Sequence, residues 1–416
     1  MNESDTPGVV AEPIRTRRLS VWTWIAAACG LALLTGAGIF ILQRRPPAGM
    51  PPIRWSMPVA GLQTTLGAIS PDGTLYTGTA EVVMAIDRDG HRLWTFTNGP
   101  ALGSVRLGSN GDLYLSGYRQ GTRRVISLGT NGTFRWDARA ATMDGFAPVV
   151  SPNGTVATSG TDRDLHAFSP DGKPLWSVDL ASAGYGPPLV RPDGSFVVLG
   201  KTPGPGLMVV SPEGRLLGPF STHRFTNEPS LRQAHLAPDG TVYLAGSAAD
   251  FLLAVAPGGP LRWRLSLDRE ATSGPVLDAG GRILLTARDP ATQRYEIIAV
   301  APDGKVVWRR DLGTAYADTT PVVTPEGSIC FTTGEPALWC LDREGQVRWK
   351  YRIPRPIQWQ PPARMSLFAW SNFLRQLVRA PRAIAHTPAL VAPDGSLRVG
   401  LGGSQGYILQ IDTPGR

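Results

Sequence analysis

Short apolar runs separated by glycine turns fill most of this chain. From residue 53 onward, β-branched and aromatic segments such as "TLYTGT" and "VVMAID" alternate with turns such as "SPDG" and "DRDG". Segments of this length and composition are typical of β-strands. In the turns, proline presets φ, aspartate hydrogen-bonds the local backbone, and glycine accepts a positive φ. The pattern predicts many short strands joined by tight turns.

One of these turns returns at a regular interval. It ends at eight glycines, spaced 38 to 46 residues apart except for one interval of 68 before the last. A period of about 40 to 45 residues is that of a four-stranded propeller blade. The sequence therefore predicts an all-β fold, an eight-bladed β-propeller with four-stranded blades. The glycines are Gly73, Gly111, Gly154, Gly194, Gly240, Gly281, Gly327 and Gly395.

A second turn in each unit is followed by a tryptophan. The phrases "AIDRDGHRLW" and "CLDREGQVRW" place a tryptophan four residues after the glycine, and only one unit departs, with Gly218 in that place. A large flat ring at one fixed position of each fourth strand predicts packing between neighbouring blades. We expect structural tryptophans at Trp55, Trp94, Trp136, Trp176, Trp263, Trp308 and Trp349.

The eighth unit has no segment for a fourth strand after "YILQID". The segment "IRWSMPV", Ile53 to Val59, has the apolar-Arg-Trp pattern of the other fourth strands but precedes the first unit. We expect this N-terminal strand to pair with the third strand of the last blade. That pairing would close the ring and leave no open sheet edge.

The units resemble the pyrroloquinoline-quinone-type (PQQ-like) propeller repeat, whose hallmark is Ala-x-Asp-x-x-(Thr)-Gly followed four residues later by Trp. Ala85, Asp87, Gly90 and Trp94 fit it best, although the turn is one residue shorter and an acidic residue replaces the threonine. The resemblance covers residues 53–416. It implies either a quinoprotein dehydrogenase or a non-catalytic binding propeller, such as the propeller lipoprotein of the bacterial outer-membrane assembly machinery.

The sequence favours the binding propeller. By the resemblance, the dehydrogenases need a metal site of oxygen ligands, an aspartate base and often a vicinal Cys-Cys, but this chain has no Cys-Cys and seven of its eight units are close to minimal length. Units this short leave few residues for loops that would enclose a cofactor. The five histidines also show no paired metal-binding spacing. We expect a scaffold that binds protein partners or a cell-envelope ligand, with no catalytic residue, cofactor or metal.

Two alternatives stay open. One is a membrane-bound PQQ-dependent dehydrogenase. The other is a cell-wall or carbohydrate-binding sensor, which would need exposed aromatic side chains at the channel mouth, where Tyr185 and Tyr316 are the candidates. Nucleic acid is not expected as a partner, because the arginines behind the net charge of +8 are spread through turns and strand ends.

An apolar segment precedes the propeller. Residues 21–42, "VWTWIAAACGLALLTGAGIFIL", carry no charge, and as a helix they would span about 33 Å, close to a hydrocarbon core of about 30 Å. The segment is too long for the apolar part of a signal peptide, and its matches to lipoprotein and twin-arginine signals fail in detail. We expect a polar tail at residues 1–20, a transmembrane helix at 21–42 and a proline-rich tether at 43–52.

The flanking arginines are balanced, so charge does not orient this segment. We expect a single-pass protein of the bacterial inner (cytoplasmic) membrane, and the resemblance implies that the propeller lies on the extracytoplasmic side.

Two groups of residues are candidates for binding. One lies in the loops that enter the innermost strands, at the mouth of the channel, where an ordinary solvated loop is the alternative. The other lies in an insertion at residues 352–388 with a basic amphipathic helical pattern, which would contact a membrane or a partner, or pack on the propeller. The loop candidates are Asp144, Tyr185, Asn227, Glu228, Asp318 and His386, and the helix candidates are Leu367, Trp370, Phe373, Leu374, Arg375 and Arg379.

Cys330 and Cys340 are the two cysteines outside the apolar segment. They lie on strands joined through "GEP", and if Thr333 pairs with Ala337, Cys330 lies directly opposite Cys340. The Cβ atoms of such a pair are about 4.5 to 5.5 Å apart, so a bond needs local adjustment. We predict a disulfide in an oxidising compartment.

Overall fold

The computed structural model describes most of the propeller. The predicted transmembrane helix and most of the insertion lie outside the described residues, and among those residues no helix is long and apolar enough to cross a membrane. The described ranges are 51–60, 65–79, 82–97, 105–119, 121–140, 147–180, 186–199, 206–220, 231–246, 250–334, 337–352, 388–401 and 405–413.

Eight antiparallel sheets follow one another along the chain, as predicted, and each forms one blade. Strands are numbered in chain order, and a blade's first strand is the innermost. Blade 1 contains β2 (Thr65–Ile69), β3 (Leu75–Gly78), β4 (Val83–Ile86) and β5 (Arg92–Phe96); blade 2 contains β6 (Arg106–Leu107), β7 (Asp112–Arg119), β8 (Thr122–Gly129) and β9 (Phe134–Arg139). Blade 3 contains β10 (Val149–Val150), β11 (Val156–Ser159), β12 (Asp164–Phe168) and β13 (Pro174–Asp179).

Blade 6 departs from four strands, because two short segments, β22 and β23, both pair with β24 in the first position. Blade 4 contains β14 (Leu189–Val190), β15 (Phe196–Leu199), β16 (Leu207–Val210) and β17 (Leu216–Phe220); blade 5 contains β18 (Leu231–Leu236), β19 (Val242–Gly246), β20 (Phe251–Val255) and β21 (Leu261–Ser266). Blade 6 contains β22 (Glu270–Ala271), β23 (Val276–Leu277), β24 (Ile283–Arg288), β25 (Tyr295–Val300) and β26 (Val306–Gly313).

The last blade is completed by the first strand of the chain. β1 pairs with β33, the third strand of blade 8, so the predicted closure by the N-terminal strand is confirmed. Blade 7 contains β27 (Val322–Val323), β28 (Ile329–Thr333), β29 (Ala337–Leu341) and β30 (Val347–Arg352); blade 8 contains β31 (Leu390–Val391), β32 (Leu397–Leu401), β33 (Gln405–Ile411) and β1 (Ile53–Ala60).

The two middle strands of a blade are the buried ones. β3, β4 and β28 are buried at every residue, whereas the fourth strands β13 and β21 alternate between exposed and less exposed positions. Both faces of a middle strand pack on neighbouring blades, which explains their nearly continuous apolar sequence. The outer strands place arginine and other polar residues toward solvent.

Apolar side chains form eight clusters, each between two consecutive blades. In the cluster that closes the ring, Val59 and Ile408 of blade 8 meet Leu75, Met84 and Ile86 of blade 1, and all five are buried. The ring is therefore closed by side-chain packing as well as by the hydrogen bonds of β1.

A tryptophan on the fourth strand locks each of six blades to the next one. The Trp136 indole donates to the carbonyl of Pro170 at 2.8 Å, in the outer turn of blade 3. Its ring lies so close to Gly172 that a Cβ there would be 2.5 Å away. Glycine is thus needed for its φ of +85° and for the space. The pairs are Trp55–Gly90, Trp94–Gly132, Trp136–Gly172, Trp176–Gly214, Trp263–Gly304 and Trp308–Gly345.

Candidate functional site

Turns and loops lie at opposite ends of the strands. Because each blade is antiparallel, its two glycine turns share one face of the ring, which we call the turn face. The loops from second to third strand, and from fourth strand to the next blade, lie on the other face, which we call the loop face. The backbone N–H of Gly334, in one loop of blade 7, donates to the carbonyl of Tyr316, in another, at 2.6 Å.

Of the residues predicted for the channel mouth, Asp318 lies in the described part of the chain, on the loop face, and is half-buried. Tyr316 is also described, and the remaining candidates lie outside the described residues and stay predictions. They are Asp144, Tyr185, Asn227, Glu228 and His386 in the loops, and Leu367, Trp370, Phe373, Leu374, Arg375 and Arg379 in the insertion.

Asp318 lies in a polar and aromatic cluster between blades 6 and 7. The ring of Tyr316 meets the ring of Tyr295 edge-on, with centroids 5.3 Å apart. Tyr295 is buried and Tyr316 is 44% exposed. Next to them, Arg288 and Glu270 form an ion pair across β24 and β22. We call these five residues the tyrosine cluster. It presents one exposed aromatic ring, that of Tyr316, near an ion pair.

The electrostatics of the tyrosine cluster keep both phenols neutral. Burial raises the pKa of the Tyr316 phenol, and the Asp318 carboxylate raises it further. Burial also raises the pKa of Tyr295, although the nearby Arg288 guanidinium opposes this. The hydrogen bond to Glu270 raises the pKa of Arg288. Because an unperturbed phenol titrates near about pH 10, both groups stay hydrogen-bond donors at neutral pH.

These contacts suit binding of a polar surface. A half-exposed ring supplies apolar area with a hydroxyl at its edge, which is the combination that recurs in protein and sugar recognition. Tyr316 was a sequence candidate, but Tyr295, Arg288 and Glu270 were not. The feature that could have indicated them is the length of β24 and β25, which have six residues each. Strands of this length extend to the loop face and place the cluster there.

Two basic residues take the same place on the inner strands. Arg106 of β6 lies opposite Tyr114, and His235 of β18 lies opposite Tyr243. Desolvation lowers the pKa of His235, so its imidazole is neutral at pH 7, whereas the exposed Arg106 stays charged. Apolar residues take this place in the other six blades, namely Ala68, Val149, Leu189, Val276, Val322 and Leu390.

A cavity of about 550 Å³ opens among the first turns of blades 2 to 5, on the turn face. Prolines of three turns line it, namely Pro152, Pro192 and Pro238, together with Arg191. Arg191 donates across to the carbonyl of Pro257 in the outer turn of blade 5, at 2.9 Å. The arginine therefore joins two blades at this mouth.

One group of side chains in the described ranges could hold a metal ion. It consists of Asp162, Asp164 and His166, on blade 3. We predicted no metal site because the histidines and cysteines show no paired metal-binding spacing. The Asp-x-Asp-x-His segment has a single histidine and two carboxylates, so that criterion does not detect it.

Cys330 and Cys340 lie directly opposite each other on β28 and β29, in the predicted register. Their Cα atoms are 4.2 Å apart, and the structure joins the two sulfurs in a disulfide. At the equivalent positions of blades 1 and 5, a tyrosine on the second strand lies opposite an alanine on the third. In blade 7 the two cysteines take these positions, and Cys340 lies opposite the tryptophan of the fourth strand. Both cysteines are fully buried, so the bond belongs to the core between blades 7 and 8.

Replacing both Cys330 and Cys340 by alanine is expected to lower the free energy of unfolding by about 3 kcal/mol. The estimate comes from the loss of loop closure in the unfolded chain across a separation of 10 residues. Guanidinium unfolding of the variant and of the natural chain measures the difference. Thiol labelling of the native protein should reach neither cysteine, and labelling of both would contradict the bond.

Two segments of the chain match a known family model. The family model described as outer membrane protein assembly factor BamB matches residues 79–206 and 293–364, just under half of the chain. No curated protein has a significant match to this sequence.

Several solved structures are similar in fold. BamB from Moraxella catarrhalis is similar with a TM-score of 0.63 and 12% identity, over 88% of this chain and 98% of its own. The C-terminal WD40 domain of Sif2 has a TM-score of 0.61 and 8% identity, over 86% of this chain and 99% of its own. The dihydro-heme d1 dehydrogenase NirN has a TM-score of 0.56 and 12% identity, over 74% and 75%. Identities this low show the propeller fold alone. The family match agrees with the resemblance found in the repeats: this chain is an eight-bladed propeller, and two of its segments are similar to the assembly factor BamB.

Proposed function

We propose that this chain is a membrane-anchored, non-catalytic propeller that binds a protein partner outside the cytoplasm. The proposal rests on a difference between the two faces of the ring: one carries the repeated structural residues, and the other carries residues that vary from blade to blade. The repeated tryptophans and glycines hold the blades together, whereas residues that differ between blades, such as Tyr316 and Asp318, lie on the loop face. A rigid ring with variable loops is a common basis for binding. The family match to an assembly factor supports a protein as the partner.

The anchor and the compartment belong to the same proposal. The uncharged segment at residues 21–42 has the length of a membrane span. A disulfide between Cys330 and Cys340 supports an oxidising compartment, since thiols are kept reduced in the cytosol. An N-terminal anchor in the bacterial inner membrane, with the propeller on its outer side, satisfies both.

A photo-crosslinking amino acid in place of Tyr316 is expected to capture one or a few discrete proteins in intact cells. Phe134 supplies the matched control, because it is an aromatic residue of similar exposure, 42% against 44%, at the turn-face end of β9. The same crosslinker there should capture none of those proteins. Crosslinked products are separated by electrophoresis and identified by mass spectrometry, after the cells have been fractionated.

Three outcomes would contradict the proposal. Equal crosslinking from both positions would remove the loop face as the binding surface. Recovery of the chain in the soluble cytosolic fraction would remove the anchor. The rival function, a quinone-dependent dehydrogenase, predicts stoichiometric quinone absorbance and bound metal after the purified chain has been mixed with quinone and calcium.

A further inference from the structure

A cluster of metal-ligating side chains lies at the loop-face end of blade 3, where β11 turns into β12. Asp164 and His166 are two residues apart on β12, so their side chains lie on the same face of the strand, and Asp162 lies in the turn that precedes it. One ligand atom from each lies within 4.8 Å of the other two. The side chain of Asp162 is 42% exposed and that of His166 is 19% exposed, so the cluster is open to solvent.

Gly160 leaves the space in which these side chains meet. A Cβ at this position would lie 1.9 Å from Oδ1 of Asp162 and 3.1 Å from Nε2 of His166. The backbone N–H of Gly160 donates to the carbonyl of Asp164 at 2.7 Å and closes the hairpin. Any other residue at position 160 would push the carboxylate and the imidazole apart.

The contacts of Ser177 determine which nitrogen of His166 carries a proton. Its Oγ lies 2.8 Å from Oδ2 of Asp164 and 3.2 Å from Nδ1 of His166. A carboxylate only accepts, so the one hydroxyl proton goes to Asp164 and Nδ1–H donates to the hydroxyl oxygen. In a neutral imidazole, the lone pair of Nε2 then faces Oδ2 of Asp162 at 2.9 Å. In this arrangement the two atoms can bind one cation between them.

We propose that Asp162, Asp164 and His166 bind a divalent transition-metal ion, and that Zn²⁺ fits best. An imidazole nitrogen with carboxylate oxygens suits zinc, whereas Ca²⁺ and Mg²⁺ prefer oxygen ligands throughout. Zinc-bound donors lie about 3.3 Å apart in a tetrahedron with bonds of about 2.0–2.1 Å. The contact between Nε2 and Oδ2 of Asp162 needs to widen only slightly from its 2.9 Å.

Ser177 completes the site as a positioning residue, because it orients the His166 ring from the nitrogen that does not bind the metal. Three protein ligands leave one tetrahedral position for water or for a side chain of a bound protein. These contacts do not suit a catalytic serine, because the Ser177 hydroxyl donates its proton to Asp164 and not to the His166 imidazole.

Calorimetric titration of the full chain in detergent with zinc sulfate tests the site. The protein carries no histidine tag and is first freed of metal with a chelating resin. The natural chain is expected to bind one zinc ion that Asp162→Asn and His166→Gln each weaken by at least about tenfold. Cobalt should give visible d–d absorption of a tetrahedral ion in the natural chain and lose it in both variants.

Asp87 and His91 supply the matched control. They form a carboxylate–imidazole pair at 3.1 Å on blade 1, outside any three-residue group among the described residues. Asp87→Asn with His91→Gln is expected to leave zinc affinity unchanged. Unchanged zinc binding in Asp162→Asn and His166→Gln, at unchanged melting temperature, would overturn the proposal. Calcium binding as tight as zinc binding would overturn the role of His166, and absence of any zinc binding to the natural chain would overturn the proposal as a whole.

Discussion

A chain that begins at Gly61 is expected to lose its closed ring, whereas one that begins at Gly49 is expected to keep it. Gly49 starts the compact unit that holds the propeller, and β1 ends at Ala60, so the two variants differ by β1. Without β1, the free energy of unfolding should fall by more than about 5 kcal/mol, because truncating one packed tryptophan costs about 3–5 kcal/mol. Guanidinium unfolding followed by far-UV circular dichroism measures the difference.

The large effect is expected because β1 acts at two interfaces. It pairs with β33 along its whole length, and the Trp55 ring covers the guanidinium of Arg398, 5.3 Å from the ring centroid. Toward blade 1, the Trp55 indole donates to the carbonyl of Arg88 at 2.9 Å. Arg398 is fully buried, so removal of β1 would leave a charged side chain beside an open strand edge.

A peptide with the sequence of residues 51–62 provides the control. Added to the chain that begins at Gly61, it is expected to restore a folded monomer, and the same peptide with Trp55→Ala should restore it less well. Equal unfolding midpoints for the two truncated chains, at concentrations where neither self-associates, would show that β1 does not hold the ring together.

The ring could be predicted from the sequence because each blade repeats the same local chemistry. The turn glycines marked the hairpins, and the tryptophan that follows marked the fourth strand, even for Trp55, which lies far along the chain from the rest of its blade. The opposition of Cys330 and Cys340 followed from one short hairpin. All of these depend on short-range geometry or on a repeated motif.

The candidate sites could be predicted only in part, because loop-face residues follow no repeat. Asp318 was found from its place before an inner strand. Its aromatic neighbour Tyr295 comes from the third strand of the preceding blade, and their proximity depends on how far β25 extends. The contact of Asp162 with His166 likewise depends on a hairpin shape that the residue types do not reveal.

Gly172→Ala is expected to destabilise the propeller by about 2–4 kcal/mol, against about 1 kcal/mol for Gly111→Ala. Both glycines have a positive φ, +85° and +80°, so both substitutions strain the backbone alike. A Cβ at Gly111 would meet nothing within 4 Å, whereas one at Gly172 would lie 2.5 Å from the Trp136 ring. The difference between the two changes in unfolding free energy therefore measures the packing of Trp136 of blade 2 against Gly172 of blade 3. Unfolding in guanidinium gives both values.

The Trp136→Ala background separates the two costs of Gly172→Ala. With the ring removed, the new methyl group has room and only the strain of the positive φ remains. Gly172→Ala should then cost about 1 kcal/mol, which corresponds to a coupling of about 1–3 kcal/mol between the two positions. If Gly172→Ala costs the same with and without the ring, and no more than Gly111→Ala, the glycine serves the turn alone. The recurrence of tryptophan four residues after it would then need another explanation.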